Sequence, residues 1–257
     1  MDENFNVKEI LEFYMMSGVD ETCGDVSVNL IRQNDNKVGA DSVLRPATSS
    51  LAVASVEAAK NAADLCVDVS SIAELKKIIE AFEGCSLKNT ATNTVIGNGN
   101  PEAKLMFIGE APGADEDRIG RAFVGRSGKL LDKMLEAIGV TRNDCYICNI
   151  LPWRPPGNRA PGDAEVAVCL PFLKKQIELV NPDIIFVLGA VAVNALLGNS
   201  DSISRMRGKL MEYETDKGKK IKVLAGYHPA YLLRTPAQKS KAWADFLRLK
   251  KEMMQNN

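Results

Sequence analysis

Short apolar runs alternate with amphipathic segments through most of the chain, and this alternation limits the fold more than any other feature. The apolar runs predict four strands, Lys104–Gly109, Asp144–Leu151, Asp183–Leu188 and Lys220–Ala225. Helical spacing predicts helices at Ser127–Ile138, Asp163–Leu179, Ala190–Leu197 and Pro236–Met254. Because uninterrupted apolar strands are buried on both faces, helices must cover both sides of a parallel sheet. We therefore expect an α/β fold, a three-layer α/β/α domain around a mainly parallel four-stranded sheet.

Three regions are expected along the 257 residues. Apolar residues at helical spacing predict a short amphipathic helix over residues 7–17, within an N-terminal extension of residues 1–33. Residues 34–70 are rich in Ala and Ser without clear periodicity, so they are expected to form a flexible linker, part of which could be weakly helical. Ser71 can cap a helix over Ile72–Phe82. The main domain is expected over residues 71–254.

Bulk composition excludes several classes of protein. The formal net charge is −1, which argues against non-specific coating of nucleic acid but allows a local basic face. The apolar stretches fall short of the roughly 20 residues that a membrane span needs. The acidic start is unlike a secretory or mitochondrial leader, and six cysteines without regular spacing fit a reducing compartment. A cytoplasmic location is expected.

An acidic turn follows the first predicted strand. Glu110 lies inside the turn, between Gly109 and Pro112, and three further acids follow in Ala114–Asp117. Acids in the first turn of a helix are common because they complement the helix dipole, so Ala114–Asp117 could be only that. A carboxylate inside the turn itself favours a role in activating water or stabilising positive charge. Glu110 and, with less support, Glu116 are therefore catalytic candidates.

Other polar residues are expected at the same edge of the sheet. Asn149 lies near the end of the second predicted strand, and His228, the only histidine, follows the fourth. Ligands of such sheets bind beyond the carboxyl ends of the strands. Phe123 lies between glycines and arginines, where an aromatic ring could stack on a flat ligand or could be tucked under a loop. Asn149 and His228 could likewise be structural groups with hydrogen-bond partners.

Arginines in the loops near this edge could bind phosphates. The candidates are Arg126, Arg154, Arg159 and Arg234. The prolines around Arg154 and Arg159 stiffen that loop, so the two cations could be held in place at low entropic cost, although a plain linker is the alternative.

Taken together, five segments in this order resemble the type-4 uracil-DNA glycosylases of the uracil-DNA glycosylase superfamily. They are Gly109–Gly113 with the following acids, Gly120–Gly125, the Asn149 strand, Arg154–Pro161 and His228–Arg234. The resemblance runs from about Ile72 to Met254. It implies the uracil-DNA glycosylase fold and an enzyme of DNA base-excision repair that flips uracil out of DNA and hydrolyses its N-glycosidic bond, leaving an abasic site.

The resemblance also implies roles for single residues. Phe123 would stack on the base and Asn149 would read its Watson–Crick edge. Glu110 would orient water and stabilise the oxocarbenium-like sugar, and His228 would stabilise the departing uracil anion at O2. Arg234 would press on the DNA near the flipped nucleotide.

Two positions depart from the best-known uracil-excising enzymes. Ala111 stands in place of an Asp, and Gly113 stands in place of a Tyr that excludes the methyl group of thymine. The water-activating carboxylate is then Glu110 or Glu116, and Glu116 is a candidate for rejecting thymine. Gly109, Ala111 and Gly113 are expected to line the substrate site.

The resemblance further implies a four-cysteine [4Fe–4S] cluster, but the matching positions here are Phe82, Cys85, Trp153 and Cys169. Two thiols are too few for a cluster that needs four such ligands, so no cofactor and no metal are expected. The two large apolar residues could fill the volume as a small core. Cys145 and Cys148 form a Cys-x-x-Cys pair, but on a strand two residues three positions apart point their side chains to opposite faces, which suits a cluster poorly.

The expected partner is uracil-containing DNA, bound by a monomer, with a protein partner possible through residues 1–70. A covalent uracil-DNA trap is an alternative, but it would need a His in the Arg-Pro-Pro loop, where this chain has Asn158-Arg159. A second alternative is a non-catalytic homologue that binds damaged DNA. A generic nucleotide-binding module is disfavoured because no Gly-x-Gly-x-x-Gly follows the first strand.

Overall fold

The computed structural model describes residues 48–198 and 201–255, and a mixed six-stranded sheet forms the middle of this part of the chain. The strands are β1 (Asn98–Gly99), β2 (Leu105–Gly109), β3 (Cys145–Asn149), β4 (Ile184–Leu188), β5 (Leu210–Glu214) and β6 (Lys220–Gly226). Their order is β1-β3-β2-β4-β6-β5. The four central strands are parallel and are the four that the sequence predicts, whereas the short edge strands β1 and β5 are antiparallel and were not predicted.

Nine helices occur within the described residues. They are α1 (Thr48–Cys66), α2 (Ile72–Ala81), α3 (Ala114–Ile119), α4 (Arg126–Ala137), α5 (Asp163–Val180), α6 (Ala190–Leu197), α7 (Ile203–Met206), α8 (Pro229–Arg234) and α9 (Lys239–Gln255). Ser71 caps α2 as expected, because its side chain accepts a hydrogen bond from the Glu74 N–H. The predicted helices α2, α4, α5, α6 and α9 are confirmed within a few residues at each end.

The three-layer arrangement is confirmed by the two cores that cover the sheet. Successive residues of β2 belong to different cores: Ile108 lies in the core that includes Phe172 of α5, while Phe107 lies in the core that includes Leu131 of α4 and Phe246 of α9. This division follows the two-residue repeat of a strand that is buried on both faces. The sequence therefore predicts the layers correctly, and the sheet is mixed only through its edges.

Within the expected linker over residues 34–70, the structure differs from the prediction at Thr48–Cys66, and residues 34–47 lie outside the described residues. Residues Thr48–Cys66 form α1, which packs along α5 and buries Ala62 and Cys66. Because small residues dominate α1, its buried stripe is weak in the sequence, and packing against α5 supplies the stability that periodicity does not reveal. The predicted helix over residues 7–17 and the extension over residues 1–33 lie outside the described residues.

The described part of the chain contains no helix that is long and apolar enough to cross a membrane.

Candidate active site

A cavity of about 520 Å³ opens at the carboxyl edge of the sheet. Of the residues selected from the sequence, its wall contains Glu110, Ala111, Gly113, Glu116, Phe123, Asn149, Arg159, His228 and Arg234. Gly109 lies at the end of β2 against two of these side chains, whereas Arg126 and Arg154 are not part of the wall. The structure therefore brings the predicted acid, amide, aromatic ring and imidazole to one cavity.

The turn that carries Glu110 is tied to the end of β3. The Ile150 N–H donates to the Gly109 carbonyl at 3.0 Å, and the Leu151 N–H donates to the Glu110 carbonyl at 3.1 Å. These bonds fix the backbone of the turn while the Glu110 side chain faces the cavity. Burial raises the pKa of the Glu110 carboxyl above its ordinary value, and the positive charge of Arg234 opposes part of that rise. A carboxylate with a raised pKa is a stronger proton acceptor.

Two of the three acids of α3 are buried and have separate partners. Asp117 is buried and accepts hydrogen bonds from the N–H groups of Thr92 and Asn93 at 2.8 and 3.1 Å, so its role is structural. Glu116 is also buried, and its Oε1 accepts from the N–H groups of Val124 and Gly125 at 2.9 and 2.8 Å. One oxygen of Glu116 is therefore committed to the loop that carries Phe123, which makes Glu110 the better candidate for activating water.

Phe123 presents a buried ring to the cavity from a left-handed backbone. Its φ is +55°, a backbone conformation that residues other than Gly and Asn rarely adopt. The ring centroid lies 5.7 Å from that of the His228 imidazole. A Cβ on Gly128 would overlap the carbonyl oxygen of Phe123, so this loop needs a glycine at 128. Gly128 is not among the residues selected from the sequence, because only the close approach of the two backbones reveals its role.

Asn149 is 4% exposed, and its Oδ1 has no hydrogen-bond partner among the described residues. A Cβ on Gly109 would overlap both this oxygen and the Phe123 ring, so the glycine keeps the amide and the ring close together. A buried amide oxygen without a partner is costly in a free protein. It is explained if a ligand in the cavity donates a hydrogen bond to it.

His228 caps α8, and its Nδ1 accepts a hydrogen bond from the Ala230 N–H at 3.1 Å. Pro229 begins the helix and fixes the extended backbone of His228. Because Nδ1 is the acceptor, the proton of the neutral ring lies on Nε2. Burial, with a smaller contribution from the Arg234 charge, lowers the pKa of His228 to about 4. The imidazole is therefore neutral near pH 7 and is a hydrogen-bond donor through Nε2.

We expect the imidazole of His228 to stay neutral from pH 8 down to about pH 5. Since the native pKa lies below the ordinary value of 6.5, the unfolded chain binds more protons between pH 6.5 and about 4, and stability falls as the pH falls through that window. The chain has one histidine, so its ring proton signals in an NMR titration need no further assignment. A midpoint near 6.5 in the folded protein would contradict this description, and a denatured sample is the matched control.

The four predicted DNA-binding arginines differ in their surroundings. Arg234 is exposed at the cavity wall, and Arg126 is exposed at the start of α4. Arg159 forms two hydrogen bonds with the Glu165 carboxylate, at 2.9 and 2.6 Å, and Arg154 donates to Asn158 Oδ1 at 2.8 Å. Arg234 and Arg126 are thus more available to bind a phosphate. Arg159 would have to bind a phosphate while its guanidinium is also paired with the Glu165 carboxylate.

The four positions that match a family cluster do not present four thiols. Phe82 stacks on Trp153 with a centroid distance of 6.5 Å and meets Phe172 edge-on at 5.1 Å. Cys85 and Cys169 interact with each other, and the hydrogen bond from Cys169 is the main cause of the lowered pKa of Cys85. No group of three or more His, Cys, Asp or Glu within residues 48–198 and 201–255 could hold a metal ion. The residues present do not fit a four-thiolate cluster.

The pair of cysteines on β3 offers no substitute site. Cys145 and Cys148 belong to the cores on opposite faces of the sheet, as the strand alternation predicts. Burial raises the pKa of Cys145 to about 12 and also raises that of Cys148, so neither is a ready thiolate ligand.

We expect the purified protein to contain no stoichiometric iron, even after anaerobic incubation with iron and sulfide. The measurement is iron and sulfide content together with visible absorbance. The double variant Phe82→Cys with Trp153→Cys restores four thiols at these positions and is the matched comparison. Brown wild-type protein would contradict the prediction.

Comparison with known proteins supports one family. The model of the "Uracil DNA glycosylase superfamily" matches residues 96–247. A type-4 uracil-DNA glycosylase of Archaeoglobus fulgidus is 42% identical over 185 residues, 70% of this chain and 92% of that protein. One from Thermotoga maritima is 45% identical over 157 residues, 61% and 80% of the two chains, and one from Sulfurisphaera tokodaii is 37% identical over 187 residues, 71% and 84%. The chain therefore belongs to the uracil-DNA glycosylase superfamily and, within it, to the type-4 uracil-DNA glycosylases.

Proposed function

We propose that this protein removes uracil from DNA by hydrolysing the N-glycosidic bond, leaving an abasic site for base-excision repair. Membership of the family supports this function. The single observation that carries it in the structure is the Oδ1 of Asn149, which has no hydrogen-bond partner within residues 48–198 and 201–255 and is buried beside the Phe123 ring in the cavity. An amide next to an aromatic face suits a flat base with adjacent hydrogen-bond donor and acceptor groups.

Uracil supplies the groups that Asn149 lacks. The base is flipped out of the DNA stack and lies against the Phe123 ring. Its N3–H donates to Asn149 Oδ1, and its O4 accepts from the amide NH₂ of the same side chain. Cytosine presents an acceptor at N3 and an amino group at C4, so it would meet Asn149 with the wrong polarity. Recognition therefore depends on the amide as a donor–acceptor pair.

His228 and Glu110 act on the two products of bond cleavage. The C1′–N1 bond breaks and its electrons pass to the base, which leaves as a uracil anion. The neutral His228 stabilises the charge at O2 through Nε2–H. Water adds to C1′ of the oxocarbenium-like sugar and gives its proton to Glu110. The raised pKa of Glu110 and the lowered pKa of His228 suit these two roles at neutral pH.

Glu116 is proposed to exclude thymine. A Cβ on Gly113 would lie 2.8 Å from Glu116 Oε2, so this oxygen occupies the wall where Gly113 leaves space. Its Oε1 is held by Val124 and Gly125, which keeps the side chain from turning away. A methyl group on the base would have to displace a buried carboxylate.

Proposals on binding and location complete this function. Arg234 and Arg126 would contact DNA phosphates near the flipped nucleotide, with Arg154 and Arg159 in support, so binding should weaken as salt increases. We further propose a monomer without a metal or redox cofactor, located in the cytoplasm, with residues 1–70 available for a protein partner.

The deciding experiment incubates the protein with oligonucleotides that contain uracil, hypoxanthine or a thymine mismatch, and measures abasic sites as alkali-labile strand breaks. Product from uracil but not thymine is expected. A stable protein–DNA adduct in a denaturing gel would indicate a covalent trap instead. Binding to uracil-containing DNA without abasic sites would indicate a non-catalytic damage-binding protein.

A further inference from the structure

The loop that carries Phe123 is held from outside the cavity by Arg142. This residue precedes β3, and the arginine fork spans three elements. Its Nε donates to Asp132 of α4 at 2.6 Å, and its Nη1 donates to Asn98 of β1 at 3.0 Å. The same Nη1 reaches the Ala122 carbonyl at 3.3 Å, and Nη2 donates to the Phe123 carbonyl.

Phe123 needs such support because of its backbone. In the described part of the chain the other residues with a positive φ that are not glycine are Asn158 and Asn181. Asparagine tolerates the left-handed region, whereas a phenylalanine persists there only when its surroundings fix it. The conformation of Phe123 is thus determined by contacts outside the residue itself.

Two side chains hold the loop from opposite sides. Arg142 donates hydrogen bonds to the carbonyl groups of Ala122 and Phe123. Glu116 accepts hydrogen bonds from the N–H groups of Val124 and Gly125. Asn98 adds a hydrogen bond to the Ala122 carbonyl at 2.8 Å. The side chains of Arg142 and Asn98 therefore hold these two carbonyl groups, and neither side chain lines the cavity.

We propose that Arg142 is a positioning residue for uracil excision: it fixes the left-handed turn at Phe123 and so sets the plane of the ring on which the base stacks. This inference rests on the proposed function, because it assumes that the base stacks on Phe123. Arg142 is not part of the cavity wall, so its effect passes through the loop. A lysine cannot reproduce it, since a single ammonium lacks the fork that reaches Asp132, Asn98 and the two carbonyls together.

The test is a double-mutant cycle between Arg142→Ala and Phe123→Ala, with kcat and KM measured on a uracil-containing oligonucleotide. In the wild-type background we expect Arg142→Ala to lower kcat/KM by about 10- to 100-fold, as a small misplacement of a binding group does. In the Phe123→Ala background the same change should alter kcat/KM by no more than about twofold, because no ring is left to position. A general loss of structure would lower activity in both backgrounds.

Two further variants keep the test decisive. If Arg142→Ala does not fold, Arg142→Lys replaces it in the double-mutant cycle with Phe123→Ala. Melting temperatures are measured for all of the proteins. Lys133→Ala removes an exposed cation from α4 and controls for lost attraction to DNA. Unchanged kcat/KM in Arg142→Ala, or equal losses in both backgrounds, would overturn the inference. An inactive wild-type protein would instead refute the proposed function, so the two failures are distinguishable.

Discussion

Replacing Asn149 with Leu is expected to lower kcat/KM for uracil excision by about 10³-fold or more, because a site built to hydrogen-bond its substrate loses recognition when those groups are removed. The free energy of unfolding of the free protein should not fall along with the activity. The Oδ1 of Asn149 is buried without a partner among the described residues, so an apolar side chain of similar volume removes a group that costs free energy in the folded state. Activity and melting temperature are the two measurements.

Asn149→Asp is the matched variant for this prediction. It keeps the shape and one acceptor for N3–H but replaces the NH₂ donor with a second acceptor, which meets O4 with the wrong polarity. We expect a loss of excision similar to that of Asn149→Leu. Normal excision by either variant would show that the base is read elsewhere, whereas a melting temperature that drops by tens of degrees would indicate a structural amide.

The convergence of the site could be predicted because the strands are unusually clear in the sequence. The central strands are mainly apolar runs, although Lys222 interrupts β6, and parallel strands end at one edge of the sheet. Glu110 and His228 follow such strands and Asn149 is the last residue of one, so the convergence of the three residues could be predicted without knowledge of the loops. A sequence that predicts parallel strands therefore also predicts that the residues at their carboxyl ends lie near one another.

The elements that escaped prediction lack such a signal. Helix α1 depends on Ala62 and Cys66 packing against α5, and small residues give no strong stripe. Strand β1 is two residues long, and β5 is an edge strand with mostly exposed or half-buried side chains. Short edge strands are recognisable only from the neighbours with which they pair.

The supports of the Phe123 loop escaped for a different reason. Arg142 and Gly128 belong to no motif, and their roles exist only through the left-handed turn at Phe123 and the close approach of Gly128 to it. The partner of Arg159 was equally hidden, because Glu165 is a helix-start acid that the sequence does not mark as special. Residues that act through backbone geometry are visible only in the fold.

Glu110→Gln is expected to lower kcat by about 10²- to 10⁴-fold with little change in KM, since an amide fills the same space but cannot accept the proton of water. The hydrogen bonds from the Ile150 N–H to the Gly109 carbonyl and from the Leu151 N–H to the Glu110 carbonyl do not involve the side chain, so the turn should remain intact. Binding of uracil-containing DNA, measured separately by fluorescence anisotropy, is the control for a retained site. Unchanged turnover would remove Glu110 from the mechanism.

The pH profile gives this assignment a sharper test. The active form of Glu110 is the carboxylate, so activity is lost as the pH falls through its raised pKa, and the acidic limb of kcat/KM, which reports groups of the free enzyme, should lie above the ordinary range of a glutamate. Arg234 stabilises the charged carboxylate, and Arg234→Gln should therefore move the limb to higher pH. In Glu110→Gln this limb should disappear, leaving only the loss that accompanies protonation of His228 near pH 4. If the limb keeps its position in the wild type, Arg234→Gln and Glu110→Gln, the titrating group is not Glu110. Glu116 would then be the acid to examine, because its second carboxylate oxygen lies against Gly113 in the same cavity.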